Sequence, residues 1–242
     1  MKLANLVFLI GSKLGDASKS LDFYSKVLVS RAKLGPEASM CLDMDSVSVL
    51  LQLGRTEEAK ALLDDAKDTL PAINSTEAVV FSKFYMATAD YKKIVGPPQD
   101  FYSAGLMFLA YTPVEDLDPE VKYKLATDMA LASITGEDIF NFGEVIATPI
   151  LGCLLGTPNE WLHSLVHSLN SGDIDQFNLI VDKYKEQFYA QPALVTRHEV
   201  VKQKVALLCL MNIAFERSSN DRQIKLCDIA TATRIPINEV RL

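Results

Sequence analysis

Asp64-Asp65-Ala66-Lys67-Asp68 sets three carboxylates at a D-D-x-x-D spacing that can hold magnesium and a diphosphate from one helix face. That chemistry needs a second acidic motif facing the first. The chain has none, and Lys67 stands among the carboxylates, so Asp64, Asp65 and Asp68 read as a solvated helix face. A magnesium-dependent helical enzyme is the rival reading. His163 and His167 lie four apart, as in a two-histidine metal pair, but a zinc hydrolase of that kind carries Glu where this chain has Ser164. The only other histidine is His198, and both imidazoles flank the apolar stripe Leu162, Leu165, Val166 and Leu169. They read as boundary histidines. Arg222, Lys225, Arg234 and Arg241 could touch phosphates, yet the helix that would read bases offers Asn238, Glu239 and Val240 without an Arg, Lys or Gln cluster. Duplex binding is a third reading, behind protein docking. No phosphate-binding glycine loop or nucleophile elbow occurs, and Gly96-Pro97-Pro98 is a rigid turn. The residues assign no catalytic, cofactor-binding or metal-ligating role.

Those side chains must be carried by helices. With 242 residues, 49% apolar and 23% charged, the chain has the make-up of a soluble globular protein with one large domain or two ordinary ones. A net charge of −7 argues against general affinity for nucleic acid or anionic membrane. From Arg197 onward eight Lys/Arg face five Asp/Glu, a local +3 that leaves −10 for the rest. The four cysteines form no C-x-x-C and predict a reduced, intracellular protein, in which the glycosylation pattern Asn74-Ser75-Thr76 is chance. Leu3–Ile10 could pass for a weak signal peptide, but Asn5 interrupts it. Leu3, Leu6, Val7, Ile10 and Leu14 continue instead as a helical stripe beyond it. No apolar run approaches the ~20 residues that span a bilayer.

A turn recurs along the chain at Gly15, Gly54, Gly96, Gly136 and Gly172, separated by 39, 42, 40 and 36 residues. One turn per repeat of that length predicts stacked helix pairs. Ala59, Leu63 and Ala66 give the small-large-small order of tetratricopeptide-like repeats, echoed by Ser20, Tyr24 and Val27. Helices are predicted at Ser46–Leu53, Glu57–Leu70 and Thr76–Val95, and from Asp118, with Asp118 as cap and Pro119 in the first turn. Two more meet at Asn170-Ser171-Gly172-Asp173. One carries Leu162, Leu165, Val166 and Leu169 around the only Trp, Trp161, and the other carries Ile174, Phe177, Ile180, Val181 and Tyr184.

Past Pro192 the pattern changes. A helix through Phe215 is followed by a polar loop at Arg217–Arg222, and Gln223-Ile224-Lys225-Leu226 alternates like a short strand. A short helix at Asp228–Thr233, a turn at Arg234–Ile237 and a helix starting at Asn238 complete the opening of a winged helix, a helix-turn-helix variant. The expected fold is all-α: a helical-repeat arm over 1–155, then over 156–242 a module whose incomplete winged helix contributes one strand.

Helical repeats running into a winged helix resemble PCI-domain proteins, the scaffold subunits of the proteasome lid, the signalosome and a translation initiation factor. GEDIFNFGEVIATPIL (136–151), GTPNEWL (156–162), SLNSGDIDQF (168–177), AQPALV (190–195), KVALLCLMNIAFER (204–217) and IKLCDIATATRIPINEV (224–240) carry the resemblance, which runs from about Ser46 to Leu242. It implies a non-catalytic lid scaffold, working in cytoplasm and nucleus in ubiquitin-dependent degradation. It implies other PCI subunits as partners, with no cofactor, small-molecule substrate, nucleic acid or membrane. It also implies that the winged helix is cut short at its C-terminal side. The expected partner interface is Arg222, Ile224, Lys225 and Leu226, on a strand edge that invites pairing.

Overall fold

Helix-forming sequence broken by Gly and Pro gives a chain of helices, and the computed structural model describes residues 2–73, 77–217 and 223–236. They form two compact units, Met1–Leu117 and Asp118–Leu242. No described helix is long and apolar enough to cross a membrane.

The first unit holds α1 (Lys2–Lys13), α2 (Ala17–Leu28), α3 (Arg31–Leu34), α4 (Pro36–Gln52), α5 (Thr56–Thr69), α6 (Ala78–Val95) and α7 (Pro98–Tyr111). Its centre is α4, which packs on α1, α2, α3, α5 and α6. Every residue from Ala38 to Val47 is buried, so this helix has no solvent face. Its two buried carboxylates are matched from neighbouring helices. Arg31 holds Asp43 with two bonds of 2.7 Å, and Lys83 Nζ holds Asp45 at 2.5 and 2.6 Å. The predicted helix start at Ser46 therefore lies ten residues too late: Pro36 opens α4. Ala59, Leu63 and Ala66 are buried as the repeat pattern predicts.

On α1 the predicted helical stripe is divided between two faces. The buried residues are Ala4, Val7 and Gly11, while Leu3, Leu6, Leu9 and Ile10 are 43–54% exposed. Small residues let α2 come close. A Cβ on Gly11 would stand 2.4 Å from the Tyr24 ring, and Ser20 Oγ donates to Gly11 O at 2.8 Å.

The second unit holds α8 (Pro119–Thr135), α9 (Phe142–Ala147), α10 (Glu160–Ser171), α11 (Ile174–Lys183), α12 (Lys185–Tyr189), α13 (Pro192–Thr196), α14 (His198–Glu216) and α15 (Leu226–Thr233). Here α10 is central, packed on α8, α9, α11 and α14. Leu162, Leu165, Val166 and Leu169 are fully buried, and Trp161 lies against Tyr184 and Phe188. Asp118 precedes α8 as predicted, but its side chain makes no capping bond.

The periodic glycines are of two kinds. Gly15, Gly54 and Gly172 are left-handed, with φ of 66°, 73° and 62°. After α4 and α10 the bonds Arg55 N to Leu50 O and Asp173 N to Ser168 O, with Gly54 N to Leu51 O and Gly172 N to Leu169 O, make Schellman caps. Gly96 and Gly136 instead leave their helices in extended backbone. Gly96 precedes Pro97, which disfavours any helical continuation.

The predicted strand at 223–226 is absent. Among the described residues there is no strand at all, so Gln223–Lys225 has no ladder partner, and Leu226 is already the first residue of α15. An alternation of four residues fits a helix entry as well as a strand. The winged helix is not seen among the described residues; Arg222, the helix from Asn238 and Asn74-Ser75-Thr76 lie outside them.

Candidate interaction surface

Lys225 caps α15 in extended backbone, Ile224 is half-buried beside it, and Leu226 is 46% exposed. Arg217 Nη1 donates to Gln223 O at 2.6 Å, closing the entry to α15. At its far end Arg234 is left-handed and donates to both carboxylate oxygens of Asp175 at 3.0 Å. Asn212 Nδ2 donates to Ser171 O, tying α14 to the α10–α11 turn. Ile224, Lys225 and Leu226 thus stand together at the start of a small helix fixed by α14 and α11, with Lys225 and Leu226 outward. Arg234, considered for phosphate contact, is committed to Asp175.

The chemistry candidates do not converge. Asp64, Asp65 and Asp68 are exposed on α5, and Asp65 shares a groove of about 710 Å³ with Arg31 and Asp43, where a guanidinium already supplies the cation. The rings of His163 and His167 lie tilted at 40° with centroids 4.5 Å apart, and burial, with the neighbouring imidazole, lowers the His163 pKa. Among the described residues no group of three His, Cys, Asp or Glu could hold a metal ion.

The residues most perturbed are ones the patterns passed over. Lys204 on α14 is 2% exposed. Its Nζ donates to Ser133 O at 2.7 Å and Gly136 O at 2.6 Å, with Ile134 O at 3.4 Å, so it closes the carbonyl end of α8. The Phe142 and Phe140 rings lie 5.0 and 5.6 Å from it. Burial pushes its pKa down to about 7, with Asp138 opposing. Asp43 and Asp45 are pushed up because burial outweighs Arg31 and Lys83. Burial likewise raises the Cys41 thiol to about 11, which removes it from nucleophilic chemistry at neutral pH. The sequence did carry a signal for Lys204: a lysine between Val201, Val205 and Leu208 on one apolar face. Lys204, Asp43 and Asp45 each hold helices together.

Residues 1–166 match the family model described as PSD13 N-terminal repeats. The 26S proteasome non-ATPase regulatory subunit 13 homolog A of Arabidopsis thaliana is 34% identical over 244 residues, covering 99% of this chain and 63% of that protein. Its homolog B is 37% identical over 190 residues, covering 78% and 49%. The probable 26S proteasome regulatory subunit rpn9 of Schizosaccharomyces pombe is 33% identical over 189 residues, covering 78% and 48%. The chain thus spans about half to two-thirds of the length of these curated relatives. With more than half its residues in the matched repeats and that likeness running on through α15, the chain belongs to the family of the 26S proteasome non-ATPase regulatory subunit 13.

Proposed function

We propose that this chain is a non-catalytic structural subunit of the proteasome regulatory particle, placed in the lid and acting through protein contacts in ubiquitin-dependent degradation. The observation that carries this reading is the 34% identity over 99% of the chain to a relative named as a non-ATPase regulatory subunit. The perturbed groups support it, since Lys204, Asp43 and Asp45 are each spent on helix–helix contacts. On this reading 1–155 is the repeat arm and 156–242 a PCI module, whose partners are other PCI subunits of the lid in cytoplasm and nucleus. The partner contact is made around Ile224, Lys225 and Leu226, with Arg222 beside them in sequence.

Tagged protein purified from cells under conditions that keep the 26S particle intact should bring lid subunits with it in stoichiometric amount. Ile224→Asp with Leu226→Asp should cut that recovery at least fivefold while leaving the helical circular dichroism unchanged. Recovery without lid subunits overturns the assignment, and full recovery with the double variant overturns the interface. Calorimetric titration with magnesium and a diphosphate should give no saturable heat. A micromolar isotherm abolished by Asp65→Ala would establish the rival enzyme instead.

A further inference from the structure

The outer side of α1 is built to receive a helix. Its inner side is fastened by small residues: Ala4, Val7 and Gly11 are buried, and Tyr24 OH donates to Phe8 O at 3.4 Å. That register turns the large aliphatics outward. Leu3, Leu6 and Ile10 follow at the three–four spacing of one stripe, 54%, 53% and 43% exposed, with Leu9 at 54% beside them. Leu14, 41% exposed, extends the stripe past the helix end. Interdigitating helices meet through such rows.

Charge selects the occupant. Lys2 and Lys13 are exposed at the two ends of this face, and α1 carries no acidic residue. At 1.5 Å per residue the two lysines are about 16 Å apart along the helix. A second copy pairing isologously would set Lys2 against Lys13 in antiparallel order, or like against like in parallel, with no carboxylate on either α1 to absorb the charge. An anionic bilayer would face a chain of net charge −7. We propose that the Leu3–Leu6–Ile10 face of α1 docks an amphipathic helix of a partner protein, one whose apolar stripe is bracketed by carboxylates about three turns apart.

The test uses the full 242-residue chain and two helix-stabilised, fluorophore-labelled peptides that share one Leu/Ile stripe and carry either Glu or Lys at the bracketing positions. In anisotropy titrations the Glu peptide should bind saturably at one per chain, and the Lys peptide at least tenfold more weakly. Leu6→Asp with Ile10→Asp should weaken the Glu peptide at least tenfold. Both positions are exposed, and circular dichroism verifies folding. Lys2→Glu with Lys13→Glu, which leaves the stripe intact, should reverse the peptide preference. Four results overturn the proposal: no binding; equal binding of the two peptides; a dimer in sedimentation equilibrium that Leu6→Asp abolishes; or co-sedimentation with phosphatidylserine vesicles as tight as the Glu peptide binds.

Discussion

Replacing Lys204 with Met removes a buried ammonium while keeping the length and apolar stem of the side chain. The carbonyls of Ser133 and Gly136, now 2.7 and 2.6 Å from Nζ, would be left without that donor inside the second unit. A buried acceptor so orphaned costs ~1–3 kcal/mol, and the pair therefore ~2–6 kcal/mol. Against this stands the expense of keeping the ammonium dry, which is why its pKa falls from 10.5 to about 7. At pH 7 the two effects partly cancel, and Lys204→Met should destabilise the unit by ~2–4 kcal/mol. The pH dependence fixes the sign. The folded pKa is depressed, so between about pH 7 and 10.5 the unfolded chain binds the extra proton, and the stability contributed by Lys204 rises with pH. It is fully present above 10.5 and lost as pH falls through 7. The neutral amine still carries two hydrogens for Ser133 O and Gly136 O. Each pH unit inside that window is worth up to ~1.4 kcal/mol, so the gap between wild type and Lys204→Met should widen by ~2 kcal/mol from pH 7 to 9. Trp161, the only tryptophan and 1% exposed, reports this unit in urea titrations followed by fluorescence. A variant as stable as wild type at pH 9, or a gap that narrows with rising pH, refutes the reasoning.

Gly172→Ala and Gly54→Ala should separate the backbone strain that both positive φ values carry from the clash that only Gly172 adds. Gly54 has open space around its missing Cβ and should lose only ~1 kcal/mol of backbone strain, whereas a Cβ on Gly172 would meet Leu208 O at 2.8 Å and should cost ~3 kcal/mol or more, read by the same urea titration for Gly172 and by thermal circular dichroism for Gly54. Gly11→Ala should destabilise the first unit by ~1–2 kcal/mol although alanine is the better helix former by ~1 kcal/mol, because the Tyr24 ring 2.4 Å away is itself 1% exposed and cannot swing clear; a raised melting temperature would show that it can. Lys83→Ala leaves the Asp45 carboxylate buried without its ion pair and should cost ~3–5 kcal/mol, while Lys124→Ala, which breaks an exposed pair with Glu120, should leave the melt at its wild-type position; comparable losses in thermal melts would refute the role given to burial.

What could be read in advance follows from how each helix meets solvent. α10 and α5 are buried on one face only, so Leu162, Leu165, Val166 and Leu169, and Ala59, Leu63 and Ala66, stand out at helical spacing. α4 has no solvent face, and its Asp43 and Asp45 break any period, so its first ten residues carried no signal until Arg31 and Lys83 came into place beside them. On α1 the period was legible and the inward face was not. A leucine stripe and a row of Ala4, Val7 and Gly11 coexist on one helix, and the approach of α2 and α4, with the Tyr24 ring over Gly11, decides which row turns inward. The same limit governs the C-terminal segment, where Ile224 and Leu226 alternate over too few residues to distinguish a strand from the entry to α15. It governs Lys204 too. A donor is visible in sequence as a lysine on an apolar face, but its acceptors are carbonyls at the end of a helix some seventy residues earlier, and backbone groups leave no trace in residue types. Side-chain pattern therefore locates helices that keep a solvent face. A helix without one, or a surface that meets backbone, becomes legible only when the chain is folded.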